Sequence, residues 1–465
     1  MKQHTHGRVS SQIRCARRQI LGEQDLCFGK LLPVEQVEAA LTRREVRFRD
    51  RLYTPLVTLY TFLYQVLSAD HSCRAAVAHL LASLSLHGDP SASAKTDPYC
   101  KARQRLPEKL VADLARHSGA ELHRQVKPLG LLGGRPIKIA DGTTVTMPDT
   151  PANQKAYPQQ RSQRPGLGFP ILRLVGLMCL SCGAVLDVAM AAYSGKKTGE
   201  TALLRELLDH VEAGDVLLGD AIFANYWMML LLCQRGADTL SHHDGKRKVD
   251  FRTGRRLGRC DHVVQWTKPP RPAWMSRRQY RSLPQTLDIR ELKVDVQQKG
   301  FRKRSLLLVT TLVDDQRYCA EDLAAAYRAR WNAELYLRSI KQVMQMDVLR
   351  CKSPSMVRKE IWMHLLAYNL IRKLMAQAAV QANIACGDIS FKGTQQTLVA
   401  FAAAGRCCPA RHEELYCAIL KAVATHRVND RPDRVEPRAV KRRAKKLVYL
   451  TLPRSLARAR LLQRR

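Results

Sequence analysis

Tyr327, Arg330, Glu334 and Lys341 stand at offsets 0, 3, 7 and 14 in the stretch YRARWNAELYLRSIK. At about 100° per residue on an α-helix, the four fall within roughly a 60° arc. The stretch has no Pro or Gly and is rich in Ala, Leu, Glu and Arg, so one helix is expected from about Ala320 to Met346. Its stripe would carry one carboxylate flanked by two cations and a phenol. A lone acid between cations suits a metal ion beside a phosphate; taken alone, it also fits a solvated face with an ordinary ion pair. Two other acids close short apolar runs: Asp141 after IKIA and Asp220 after VLLG, with Asp149, Asp187 and Asp215 as local rivals. Three converging carboxylates repel unless cations sit between them. Two divalent ions about 3.5–4 Å apart relieve that repulsion, activate a nucleophile and stabilise a leaving oxygen at a phosphodiester. Mg²⁺ suits such an all-oxygen site, with Mn²⁺ able to substitute. Arg330 and Lys341 then clamp phosphate, and Tyr327 hydrogen-bonds a phosphate oxygen.

The elements that must position these residues follow from apolar patterning. Residues 1–130 look helical: Val34–Leu41 and Arg51–Leu67 have apolar residues at 3–4 spacing, and Cys73–Leu86 is rich in Ala and Leu. Gly88-Asp89-Pro90-Ser91 breaks the pattern, and YCKARQRL at 99–106 opens a basic helix. The Arg content favours a DNA-binding helical domain over a plain bundle. From residue 131 the pattern changes to strands. Ile137–Ala140 is a short strand with Asp141 at its C-terminal end, and Ile171–Leu180 and Ala184–Tyr193 form a hairpin about Ser181-Cys182-Gly183. Gly199–Val211 is an amphipathic helix, and Asp215–Gly219 a buried-type strand leading into Asp220. Residues 236–304 are basic, rich in Pro, Gly and Trp, with β-like runs at His262–Trp266 and Leu287–Val296, and read as an inserted subdomain. The core resumes over 305–385 with the strand Ser305–Val313, the helix of Glu334 and an apolar helix over Glu360–Ala382. Residues 386–465 form a basic C-terminal region for DNA contact or dimerisation; from His426 onward there are 14 Lys and Arg against three acids. The order strand–Asp141, hairpin, helix, strand–Asp220, insertion, strand, helix–Glu334 is that of an α/β fold, with the two aspartates meeting at one sheet edge.

Composition narrows the partner. The 465 residues include 77 Lys and Arg against 41 Asp and Glu, a net charge of +36, which implies a polyanion, nucleic acid foremost. No run of 18 or more uncharged apolar residues exists, and the most apolar segment, Leu174–Leu186, has only 13, so no membrane partner is expected. The N-terminus has no signal-peptide pattern, and the 14 scattered cysteines read as reduced thiols of a cytoplasmic protein. Cys179 and Cys182 form a CxxC without a second pair, so no structural zinc is expected.

Tyr327-x2-Arg330-x3-Glu334-x6-Lys341 also resembles the Y-R-E-K signature of DDE transposases from bacterial insertion sequences, the insertion-sequence-four family. DGTTVTMPDTPANQKAYP, GLGFPILRLVG, GDVLLGDAIF, the stretch from RARWNAELYLRSIK to HLLAYNLIR, and RVEPRAVKRR look like the same family, over roughly residues 25–455. The resemblance implies a ribonuclease H-like mixed sheet flanked by helices, with a β-rich insertion between the second Asp and the Glu. It further implies Asp141, Asp220 and Glu334 as Mg²⁺ ligands, and Tyr327, Arg330 and Lys341 on transposon-end DNA. The implied activity is cleavage at terminal inverted repeats and strand transfer into target DNA by a homodimer in a synaptic complex, in the bacterial nucleoid. Members commonly carry Arg directly after the second Asp, where this chain has Ala221. Some relatives stack a flipped base on a Trp of the insertion; Trp266 and Trp274 are the candidates, with ordinary packing the simpler role for each. The alternatives are a nuclease of the same fold without strand transfer, and an inactive DNA-binding relic or repressor.

Overall fold

The computed structural model describes residues 28–48, 51–86, 92–295, 305–428 and 449–463. The break at Gly88–Ser91, the basic run Lys441–Lys446 and the RVEPRAVKRR segment lie outside the described residues. The described residues open with six α-helices: α1 (Phe28–Leu31), α2 (Val34–Arg43), α3 (Pro55–Leu67), α4 (Cys73–Leu86), α5 (Asp97–Arg105) and α6 (Glu108–Gln125). α3 is apolar on nearly every side and is buried to match; it starts where the Thr54 side chain accepts from the Val57 N–H, with Pro55 in the first turn. Arg103 of the basic helix α5 turns inward. It is buried, donates to Gln65 at 3.0 Å and lies over the rings of Phe62 and Tyr99.

Then follow β1 (Ile137–Thr146), α7 (Pro151–Ala156), β2 (Ile171–Cys179), β3 (Val185–Ala192), α8 (Glu200–Glu206), β4 (Val216–Gly219), α9 (Tyr226–Cys233) and β5 (Asp238–His242). Next come β6 (Arg255–Gly258), β7 (Asp261–Thr267), α10 (Arg277–Ser282), β8 (Thr286–Asp295) and β9 (Ser305–Thr310). The chain closes with α11 (Ala320–Ala329), α12 (Asn332–Arg338), α13 (Pro354–Ala382), α14 (Phe391–Cys407), α15 (His412–Thr425) and α16 (Arg454–Gln463). The nine described strands form one mixed sheet in the order β3-β2-β1-β4-β5-β9-β8-β7-β6. β1, β4 and β5 are parallel neighbours, and the remaining pairings are antiparallel.

Strand alternation sorts the sheet into two faces. Ile137, Ile139 and Val145 of β1, with Val216 and Leu218 of β4, pack into a core with α12, α13 and the N-terminal helices. Ala140 of β1 and Leu217 of β4 pack the other way, against α8 and α9 through Leu203, Leu204, Met228 and Leu232. α13 is the central helix of the first face. Its Asn369 accepts from the Val185 N–H and donates to the carbonyls of Val185 and Ala115, each at 2.9 Å, tying α13 to β3 and α6. Gly119 makes that junction possible: a Cβ there would lie 2.1 Å from the Val185 carbonyl oxygen.

Three local expectations change. The strand expected over Ile137–Ala140 runs on to Thr146, because β2 pairs with it residue by residue from Lys138 to Thr146, so Asp141 lies within the strand opposite Gly176. The strands β6–β8 of the stretch read as an inserted subdomain continue the same sheet through β9, which lies between β5 and β8. The single helix expected from Ala320 to Met346 is two helices followed by a π-turn over Ser339–Val343. Between the helices the backbone bonds run three residues back (Arg330 to Tyr327, Trp331 to Arg328, Ala333 to Arg330, Glu334 to Trp331), a tightened 3₁₀ turn. The uniform 100° step therefore fails on both sides of Glu334.

Candidate active site

β1 and β4 set the distance between the two aspartates. Their parallel ladder pairs Lys138 with Leu217 and Ile139 with Leu218. Carried two residues further, that register places Asp141 beside Asp220, just past the last paired residues. By the same alternation, both point to the face on which α12 and α13 pack. Each aspartate steadies one oxygen on its own backbone: Asp141 Oδ1 accepts from the Gly142 N–H at 2.8 Å, and Asp220 Oδ1 from the Ala221 N–H at 2.7 Å. The second bond caps the short 3₁₀ turn Ala221–Phe223.

Glu334 lies in the first turn of α12, and that helix is pinned to the same strands. The Tyr336 hydroxyl donates to the Leu180 carbonyl at 2.8 Å, beyond the end of β2. After the π-turn the chain comes back to the end of β1: the Thr146 N–H donates to Asp347 O at 3.0 Å and the Leu349 N–H to Thr146 O at 2.9 Å. Thr143 of β1 and Leu337 and Ile340 of the helical segment line one small cavity, which fixes the face they share.

The electrostatics show which groups meet. Burial pushes the Asp141 carboxyl up to about 6; the charges of Asp220 and Glu334 add to the rise, and the Gly142 N–H and Arg330 oppose it. Burial likewise pushes the Tyr327 phenol up to about 12, opposed by Arg330 and reinforced by Asp220. Tyr327 is only 7% exposed, with Arg330 over its ring and the His242 ring 6.3 Å away. Arg330 reaches Glu334 Oε1 at 3.8 Å, while its Nε is buried without a hydrogen-bond partner. Asp141, Asp220, Glu334, Arg330 and Tyr327 thus form one electrostatic group. Lys341 lies beyond it, half-buried on the π-turn.

The donor set fits a hard divalent cation: three carboxylates, one of them held protonatable near neutrality by burial and by the other two. It is not closed around an ion; among the described residues no three His, Cys, Asp or Glu side chains are grouped tightly enough to hold a metal. Glu334 is engaged with Arg330 instead. The orphaned Arg330 Nε is a donor suited to an anionic oxygen arriving at the site.

Sequence reasoning did not find two further features. Glu200, at the start of α8, packs beneath the site on the opposite face, where a Cβ at Gly142 would lie 2.6 Å from its carboxyl carbon. The Gly-Glu start of an amphipathic helix was its only signal. Around the acids the chain leaves Ile222 (49%), Trp331 (50%) and Leu335 (43%) exposed, an apolar rim that the polar stripe concealed. In the insertion, Trp266 is a packed side chain, buried with its indole N–H donated to Glu291 at 2.8 Å. Trp274 is 38% exposed, edge-on to Trp227 with Arg205 over its ring.

The Transposase DDE domain family matches residues 132–370, about half of the chain. The transposase InsG for insertion sequence element IS4 of Escherichia coli (strain K12) is 30% identical over 288 residues. That match takes in 60% of this chain and spans 61% of the length of that relative. The transposase for insertion sequence element IS421 of Escherichia coli is 41% identical over 66 residues, 14% of this chain and 18% of that one. A cryo-EM structure of a piggyBac transposase synaptic complex with hairpin DNA aligns over 90% of this chain and 87% of its own, at a TM-score of 0.41 and 10% identity. Among the described residues no helix is long and apolar enough to cross a membrane. The chain belongs to the Transposase DDE domain family.

Proposed function

We propose that this protein is a cut-and-paste transposase: it binds the terminal inverted repeats of its insertion sequence, cleaves the ends, and joins the freed 3′-OH to target DNA. The observation that carries this reading is the β1–β4 register, which sets Asp141 beside Asp220 on the face where the helix of Glu334 packs. In this reading β3-β2-β1-β4-β5 is a ribonuclease H-like core, residues 1–130 are a DNA-binding domain, the insertion expected over 236–304 begins after β5, and 386–465 is a basic region for DNA contact or dimerisation. The bound divalent ions, two Mg²⁺ by preference, supply an activated nucleophile and charge stabilisation at phosphorus. Asp141, Asp220 and Glu334 would hold them, Glu334 giving up its ion pair with Arg330 to do so. Arg330 then directs its guanidinium, with the orphaned Nε, to a phosphate oxygen of the transposon end. Tyr327 buttresses that guanidinium through its ring and offers its hydroxyl to the same strand, and Lys341 adds a point charge further along the backbone. Water is the first nucleophile and the freed 3′-OH the second; the family resemblance implies that the 3′-OH attacks the opposite strand to close an end hairpin, that a second water opens the hairpin, and that the regenerated 3′-OH then displaces at a target phosphorus. The protein acts as a homodimer on DNA in the bacterial cytoplasm.

The test is Mg²⁺-dependent cleavage and joining of a duplex carrying the element's end, comparing wild type with Glu334→Gln. The expected result is a wild type that cuts and joins and a variant that binds but does neither. Binding without cleavage by both proteins would mark a DNA-binding relic, and cleavage without joining by wild type a nuclease. A variant that cuts as well as wild type would remove Glu334 from the site.

A further inference from the structure

The helical N-terminal region holds a second basic concavity. A cavity of about 510 Å³ opens between the α2–α3 connection, the start of α3 and the end of α5, lined by Arg47, Phe48, Arg51, Tyr53 and Arg105 among others. Among the described residues its lining contains no Asp or Glu. The arginines nearby are committed: Arg44 pairs with Asp113, and Arg103 is buried on Gln65. Arg47, Arg51 and Arg105 are exposed and form no ion pair among the described residues. Three guanidinium groups around one hollow repel each other and raise a positive potential, which an anion relieves. The wall also holds an unused polar group, since the Tyr53 hydroxyl is buried without a hydrogen-bond partner. Phe48, 48% exposed, adds an aromatic surface to this basic wall. Guanidinium forks beside an exposed aromatic ring match phosphodiester oxygens flanked by sugar and base.

We propose that this cavity is a DNA anchoring site, in which Arg47, Arg51 and Arg105 each neutralise a backbone phosphate and Phe48 packs on a sugar or base of the same strand. The proposal rests on the reading of the chain as a DNA-processing enzyme and adds where the helical region grips its substrate. None of the lining residues lies on β1, β4 or α12, which carry the acids. The site therefore sets affinity and leaves the chemical step alone.

The experiment uses the full chain and a labelled duplex carrying the element's end, with binding measured from about 50 to 300 mM KCl and single-turnover cleavage at saturating DNA. For the triple variant Arg47→Gln, Arg51→Gln, Arg105→Gln, the slope of log K against log salt should fall by about 2.7, close to 0.9 for each phosphate that is no longer neutralised. Cleavage at saturation should stay within about twofold of wild type. Phe48→Ala should weaken binding by about 5- to 100-fold with the slope unchanged. If the triple variant fails to fold, the exposed single substitution Arg47→Gln should still lower the slope by about 0.9. A folded variant with the wild-type slope overturns the anchoring site, and so does a variant that binds normally but cleaves slowly at saturation. A wild type that neither binds nor cuts the duplex refutes instead the transposase reading on which the proposal rests.

Discussion

Asn369→Leu tests whether one buried amide holds the catalytic sheet to the central helix. Leu keeps the branched skeleton of Asn with methyls in place of the amide oxygen and nitrogen, so the substitution leaves no cavity and its cost is the missing hydrogen bonds plus any strain of the bulkier methyls. Three are removed: the one accepted from the Val185 N–H and those donated to the carbonyls of Val185 and Ala115, all at 2.9 Å and all buried. An unsatisfied buried group costs about 1–3 kcal/mol, and carbonyls recover part of that more readily than an N–H. The total is about 3–5 kcal/mol, a large share of the ~5–15 kcal/mol that holds an ordinary domain together. Because β3 pairs with β2 and β2 with β1, the loosening bears on the strand that carries Asp141. Hydrogen exchange by mass spectrometry on peptides over β3 reads the cost where it falls. Each 1.4 kcal/mol is tenfold, so protection should drop by about 10²- to 4 × 10³-fold. Protection within twofold of wild type would refute the reasoning, because the amide would then be replaceable by apolar contact.

Other perturbations follow from the same geometry. Gly119→Ala should destabilise by about 2 kcal/mol or more in urea denaturation, since its Cβ would meet the Val185 carbonyl oxygen at 2.1 Å, a backbone atom that yields only if α6 moves off β3. His364 in α13 is buried, and burial pushes its imidazole from 6.5 down to about 4, against the hydrogen bond to the Glu360 carbonyl and with the help of His71. The unfolded chain binds that proton more tightly, so stability contributed here is full above about pH 6.5 and declines by up to ~3 kcal/mol as pH falls toward 4. His364→Gln should flatten that part of the profile of urea midpoint against pH. Arg330→Lys keeps the charge but loses the fork, and single-turnover cleavage should slow by about 10²-fold with a smaller change in DNA affinity. Cleavage at the wild-type rate would show that Arg330 serves only Glu334.

The three acids proposed for the site were legible as candidates because chemistry and pattern coincide at them. Asp141 and Asp220 interrupt apolar strands, and Glu334 shares a spacing with cations that an ordinary surface helix has no reason to keep. The hairpin turn at Ser181–Gly183 and the apolar helices were legible for the same local reason. What escaped was set by partners distant in sequence. β1 outruns its apolar stretch because β2 lends it hydrogen bonds, and β9 joins two halves of a sheet that local patterning assigned to separate bodies. The tightened turn at Arg330 and the π-turn at Ser339 also left no mark, because good helix formers tolerate either winding. Exposed Trp331 and inward-facing Arg103 reverse what their residue types suggest, and only the packing around them decides that.

The unbroken sheet makes the insertion a structural necessity for solubility. β9 reads SLLLVT, six residues of high β-propensity without charge or Pro, and it is shielded only because β5 occupies one side and β8 the other. Trimming the chain from β6 to β8 would not yield a minimal catalytic core. It would bare a short apolar strand along its hydrogen-bonding edge, the kind of surface that recruits further copies of itself into growing cross-β stacks. Miniaturised versions of this enzyme should therefore fail as precipitates before they fail as catalysts, unless a charged or proline-bearing strand is left to seal that edge.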